Sequence, residues 1–266
     1  MKVLLISGTH PRHLFVQETF LESRMDCKAI VMQREDLIPS PPLNTSNHDK
    51  NNFIKHFKNR YNIEQKTYGQ LKPENVFSDI EVLYISPNEL NSKKSSQFVK
   101  KFSPDIAFIF GPGIIKPPLY TVLPRFSINL HLGLSPWYKG SATLFWPFYF
   151  LEPQFAGVTF HQIIQKADAG SILHQSVPSI SVGDGIHDVG ANVVKKAKDD
   201  LYNLVDLLLK DKWVLRDQKS TGKLFLNKDF KPTHLRVIYD LFNDKIVDAF
   251  LNGELGQKNP QLIKAF

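Results

Sequence analysis

The chain has 266 residues, 33 Lys or Arg against 26 Asp or Glu, a formal charge of +7, 42% apolar residues and one cysteine. That composition excludes a disordered, fibrous or low-complexity protein and fits one large unit with an appendage. Cys27 alone can form neither an intrachain disulfide nor a cysteine-based zinc site, which disfavours a disulfide scaffold and points to a reduced cytoplasm.

Lys2 to Ser7 is a continuous apolar run, too short for the apolar part of a leader peptide, and reads as a buried parallel strand. The turn Gly8-Thr9-His10-Pro11-Arg12-His13 follows, then Leu14, Val16, Phe20 and Leu21 at helical spacing. Ala29 to Met32 is a second strand, and the prolines between 38 and 48 form a loop. A helix is expected from about 48 to 66. Phe53, Ile54, Phe57 and Tyr61 would form its apolar stripe, with Lys50, Lys55, Lys58 and Arg60 giving a basic surface. Strands at Glu81 to Ser86 and Asp105 to Phe110 flank a Lys-rich helix around 91 to 102, and strands at Phe126 to Leu132 and Gly157 to Ile164 flank a helix over 143 to 151. A long helix runs from about 187 to 210, and the last 35 residues read as helical. Alternating strands and helices imply an α/β fold, a Rossmann-like and mostly parallel sheet flanked by helices, with a small mixed or helical C-terminal extension. The expected division is residues 1–210 as the catalytic unit and 211–266 as the extension. No run approaches the roughly 20 apolar residues of a membrane span.

Two segments carry chemistry. In Phe126 to Gly140, strand alternation projects Asn129 and His131 to one side, while Ile128 and Leu130 point into packing. The strand dissolves into a loop bearing Trp137, Tyr138 and Lys139, the usual place for functional groups in such sheets. In the second segment, the strand Gly157 to Ile164 ends at Asp168-Ala169-Gly170, where small neighbours permit close approach of another molecule.

The Asn-x-His strand, the Leu-x-Pro-x-Tyr-x-Gly loop, and the Gly-x-Thr-x-His strand leading to Asp-x-Gly together resemble the folate-dependent formyltransferases. Neither tripeptide means much alone; their order, with Asp168 falling 37 residues after His131, carries the resemblance. It implies Asn129, His131 and Asp168 as catalytic residues, 10-formyltetrahydrofolate as donor, a primary amine as acceptor, and no metal. Asn129 and a protonated His131 would donate to the oxyanion, a role worth about 10²- to 10³-fold in rate. Asp168 would keep His131 charged and help remove the amine proton. His161 matches the family's strand histidine, in direct contact or hydrogen-bonding behind the reacting groups.

The same resemblance places the folate against Phe110, Gly111, Pro112, Gly113, Ile114 and Ile115, with Asp168. It places the acceptor at His10, Arg12 and His13, where a phosphate or carboxylate could meet a helix N-terminus, and at Trp137, Tyr138 and Lys139. Lys139 stands where the family commonly has Arg, so a bidentate contact there is lost. The stretch after 210 looks too short and too helical for a tRNA-binding barrel. The resemblance is therefore nearest to nucleotide-sugar N-formyltransferases of glycan synthesis. It implies a small amino-sugar acceptor, nucleotide-linked or acidic, with tRNA or a non-catalytic folate binder as alternatives, no membrane partner, and room for a homodimer. The positive charge suits an acidic acceptor.

Overall fold

The computed structural model describes all residues except 24, 34–37 and 219–221. In chain order its elements are β1 (Lys2–Gly8), α1 (Pro11–Glu22), β2 (Asp26–Met32), α2 (Asn47–Tyr68), α3 (Pro73–Val76), β3 (Glu81–Ile85), α4 (Lys93–Phe102), β4 (Ile106–Phe110) and β5 (Phe126–His131). They continue with β6 (Tyr138–Gly140), α5 (Trp146–Tyr149), β7 (Val158–Gln162), β8 (Ile172–Ser176), α6 (Ile186–Leu209), β9 (Lys223–Phe225) and α7 (Ile246–Leu251).

Seven strands form one sheet in the order β3-β2-β1-β4-β5-β7-β8. The first five are parallel, while β7 and β8 run antiparallel to their neighbours. The apolar runs of β1, β2 and β4 bury both faces, as a covered parallel sheet demands. Val3, Leu5, Phe108, Ile128 and Leu130 join the core beneath α1 and α6, and Leu4, Ile6, Ala107 and Ile109 join the core beneath α4. Ile109 pairs with Asn129 in the register of β4 and β5, so Asn129 and His131 point to the α4 side. Strand order reverses between β1 and β4, and the loops leaving the carboxyl ends of β1, β4 and β5 share one edge.

Four expectations need correction. The segment 143–151 is helical only over Trp146–Tyr149, because its aromatics are modest helix formers and Pro147 restricts the helix to a short turn. The last 35 residues contain two short helical turns and α7, then irregular chain from Gly253 at φ +78 onward through Gly256 and Pro260. Residues 172–176, not anticipated as a strand, complete the sheet. The fourth correction concerns α2, whose buried face is polar: Asp49, Asn52, Phe53, His56, Glu64 and Tyr68 turn inward while Ile54 is exposed. Its partners explain this. Arg236 donates to both Asp49 carboxylate oxygens at 2.7 and 2.9 Å, Asn52 donates to Asp240 at 3.0 Å, and His56 Nδ1 meets the Tyr239 hydroxyl at 3.0 Å.

The chain beyond 210 returns to the sheet. Arg216 and Ile172 exchange backbone hydrogen bonds, and Gln175 N–H donates to the Ile263 carbonyl at 2.8 Å, so the outer edge of β8 is covered. Among the described residues no helix is long and apolar enough to cross a membrane.

Candidate active site

Asn129 and His131 leave β5 two residues apart, and the antiparallel register sets His161 of β7 opposite Asn129. The chain then turns at Asp168, which adopts φ +46, a left-handed conformation tolerated by Asp. Gly170 follows it because a Cβ there would lie 1.8 Å from the Gln162 carbonyl oxygen. The turn returns the carboxylate between two imidazoles, with Oδ2 3.5 Å from His131 Nδ1 and Oδ1 3.4 Å from His161 Nε2. Gly140 N–H donates to Asp168 Oδ2 at 2.7 Å. Asn129 Nδ2 lies 3.1 Å from His161 Nε2, and His161 Nδ1 lies 2.9 Å from the Gln162 carbonyl. His161 Nε2 thus faces both the Asn129 amide and the Asp168 carboxylate.

Burial acts to raise the Asp168 pKa, but His131, His161 and the Gly140 N–H outweigh it and hold the carboxyl well below its ordinary range. Burial also pulls the His131 pKa below the ordinary imidazole value, against the opposing pull of Asp168. Burial and Asp168 thus pull the His131 ring in opposite directions. Its Nε2–H donates to the Tyr138 carbonyl at 2.8 Å, and its Nδ1 faces the Asp168 carboxylate.

Asn129, His131, His161 and Asp168 thus meet, and Lys139 joins them closely enough for its charge to couple to Asp168. The loop after β4 lies on the same sheet edge. Gly111 takes φ +84 with the His13 ring 2.1 Å from where a Cβ would stand, and His13 packs edge-on to Phe110. Pro112 and Ile115 are buried, whereas Gly113 and Ile114 face outward. The remaining acceptor candidates are elsewhere. Tyr138 donates to Glu152 at 2.7 Å and stacks on Phe225, Trp137 packs edge-on to Phe155, and His10 is buried ahead of α1. Arg12 pairs with Glu64 of α2 at 3.1 Å. Trp137 and Tyr138 hold the loop in place through packing, the ordinary fate of aromatics beside a core.

Several contributors left no sequence signal. Gln218 donates to the carbonyls of Asp168 at 2.9 Å and Gly170 at 2.8 Å, fixing the Asp168 turn from a segment 50 residues away. Asn91 donates to the Ile114 carbonyl at 2.9 Å and accepts from Lys116 N–H at 2.7 Å, bracing the loop after β4. Thr159 Oγ1 accepts from Ser135 N–H and donates to the Gly133 carbonyl, which locks the turn after β5. Only tertiary placement gives such commonplace residues a role.

A sequence profile described as formyl transferase matches residues 39–205. The chain belongs to the formyl transferase family. Solved formyltransferases share its fold. A 4-N formyltransferase from Francisella tularensis superposes with a TM-score of 0.58 at 17% identity, covering 86% of this chain and 77% of that one. A phosphoribosylglycinamide formyltransferase from Anaplasma phagocytophilum gives 0.56 at 17% identity, over 85% and 96%. A formyltransferase from Anoxybacillus kamchatkensis, solved with UDP-4,6-dideoxy-4-formamido-L-AltNAc and tetrahydrofolate, gives 0.52 at 17% identity over 93% and 96%.

Proposed function

We propose that this formyltransferase moves a formyl group from 10-formyltetrahydrofolate to the primary amine of an activated amino sugar, in the cytoplasm, as a step in building a surface glycan. The observation that carries it is the ionised Asp168 set between His131 and His161, with Asn129 beside them, at the carboxyl edge of the sheet. We also treat residues 211–266 as an extension of the catalytic unit, since Gln218 braces the Asp168 turn.

The loop after β4 suits a flat heterocycle. A Cβ at Gly113 would meet Leu90 Cδ2 at 3.8 Å, in ordinary contact, and Ile114 exposes an apolar surface beside it. Gly111 to Ile114 and Asp168 would hold the folate, which supplies the formyl carbon as electrophile. Asn129 Nδ2 has a second N–H beyond the one given to His161, and this donates to the oxyanion that develops on that carbon. His161 positions the amide. Asp168, ionised and 3.5 Å from His131 Nδ1, accepts the proton that the attacking amine releases, directly or through water. A direct donor role for His131 would require its Nε2–H to leave the Tyr138 carbonyl.

Incubation with 10-formyltetrahydrofolate and a panel of nucleotide-linked amino sugars should give at least one product heavier by one formyl group. Formylation of methionine-charged tRNA with no sugar modified would overturn the proposal.

A further inference from the structure

Gln175 lies on β8, the outermost strand of the sheet, yet only 1% of its surface is exposed. The register sets it beside Thr159 of β7, and Thr159 beside His131 of β5, so the three side chains share one face. A glutamine amide has two N–H donors and a carbonyl, and here all are used. Nε2 donates to the Ser135 carbonyl at 2.5 Å and to Thr159 Oγ1 at 3.1 Å, while Oε1 accepts from Ile263 N–H at 3.1 Å. Thr159 Oγ1 also accepts from Ser135 N–H at 2.9 Å and donates to the Gly133 carbonyl at 2.8 Å. Gln175 and Thr159 together therefore hold the backbone of the turn after β5. That turn meets both reacting groups. It leads to Tyr138, whose carbonyl takes the His131 Nε2–H at 2.8 Å and whose N–H donates to the Leu134 carbonyl at 2.8 Å. Gly133 packs so closely on the ring that a Cβ there would lie 2.7 Å from His131 Nε2. On the other side Ser135 Oγ donates to the Asp168 carbonyl at 3.3 Å, the same oxygen that Gln218 reaches.

We propose, resting on the transfer activity above, that Gln175 is a positioning residue for the reaction: its amide fixes the turn after β5 and so aims His131 and Asp168. Ile263, 88 residues further on, sets the direction of that amide. With Oε1 held by the Ile263 N–H, the NH₂ group faces the turn, where a carbonyl and a hydroxyl oxygen accept from it. The segment after α6 thereby reaches the reacting groups by a second route besides Gln218. Freed from the amide, the turn would let imidazole and carboxylate drift relative to each other, and a misplacement of about 1 Å arising away from the chemistry can cost on the order of 10²-fold in rate.

Gln175→Met keeps the side-chain length and removes its three hydrogen bonds, and Thr159→Val keeps the branched shape and removes the hydroxyl. Either should lower kcat by about 10- to 100-fold, with KM for folate and acceptor changed by less than about twofold. Because both act through one turn, the double variant should turn over about as slowly as the worse single variant. Gln17→Met deletes another fully buried glutamine, bonded to the Ile6 carbonyl, and should leave kcat unchanged. NMR adds a reading that needs no acceptor. The His131 Nε2–H signal, assigned by its loss in His131→Ala, should exchange with water about tenfold faster in Gln175→Met than in the wild type, as local opening becomes easier. Unchanged exchange overturns the proposal. So does a fall in kcat matched by an equal rise in KM, multiplying losses in the double variant, or an equal loss in Gln17→Met. Faster exchange in a protein that formylates no sugar overturns the acceptor reading and leaves the positioning role standing.

Discussion

At the residue scale the proposed chemistry depends on one carboxylate kept ionised in a largely buried place. Asp168 stays charged because two imidazoles and a backbone N–H face it, and they face it because Asp168 takes a left-handed backbone and Gly170 lets the chain pass against Gln162. Asp168→Asn retains the shape but removes the charge, and His131→Ala removes the partner that would share the incoming proton. Each should lower kcat by about 10²- to 10⁴-fold, the range of a lost general base, with folate affinity largely intact in His131→Ala. Single-turnover kinetics together with a folate titration distinguish the effects. Unchanged turnover in either variant removes that residue from the mechanism.

At the element scale α2 is the unusual helix. An amphipathic helix normally buries its apolar stripe, yet α2 turns His56 and Glu64 inward and sets His56 against the tilted ring of His187 of α6 with centroids 4.3 Å apart. Burial, with Arg60 and Arg12 adding to it, holds the His187 pKa down at about 3, and burial keeps His56 well below its ordinary value. A histidine with a lowered native pKa binds fewer protons folded than unfolded between the two pKa values. Stability therefore rises with pH through that window, levels off above about 6.5, and is lost on acidification. Between pH 6.5 and 5 the cost should be roughly 2 kcal/mol for each imidazole that stays neutral, at about 1.4 kcal/mol per pH unit. Asp168, with its pKa lowered, loses its contribution only below the ordinary carboxylate range, outside this interval. Urea melts at the two pH values should show a smaller difference in H187F than in the wild type. An identical difference would mean that His187 does not stay neutral.

At the scale of the whole molecule the segment after α6 covers the edge of the sheet and braces the candidate site. It covers the outer edge of β8, stacks Phe266 on the buried His174, and sends Gln218 to the Asp168 turn. Leu235, Ile238, Ile246 and Val247 enter the same core as α1 and α6. Gln218→Ala should loosen the turn and lower kcat on the order of tenfold, the worth of one to two hydrogen bonds, with little change in KM for the folate. A parallel rise in that KM would place Gln218 in donor binding instead.

Strands of this fold were legible because a covered parallel sheet requires continuous apolar runs, and β1, β2 and β4 supply them. Asn129 and His131 were legible as a pair because alternation along a strand is geometric, and Asp168 because a small-residue turn follows the next strand in a recognisable order. The buried face of α2 was not, since its inward residues are polar and their partners, Arg236, Tyr239 and His187, lie far along the chain. Periodicity reports which residues avoid water and says nothing of polar groups that find partners elsewhere. The sequence by itself thus determined the parallel strands and the three groups at their edge. Tertiary structure decided the burial of His131, the brace from Gln218 and the polar packing of α2, because burial and long-range hydrogen bonds exist only once distant segments meet.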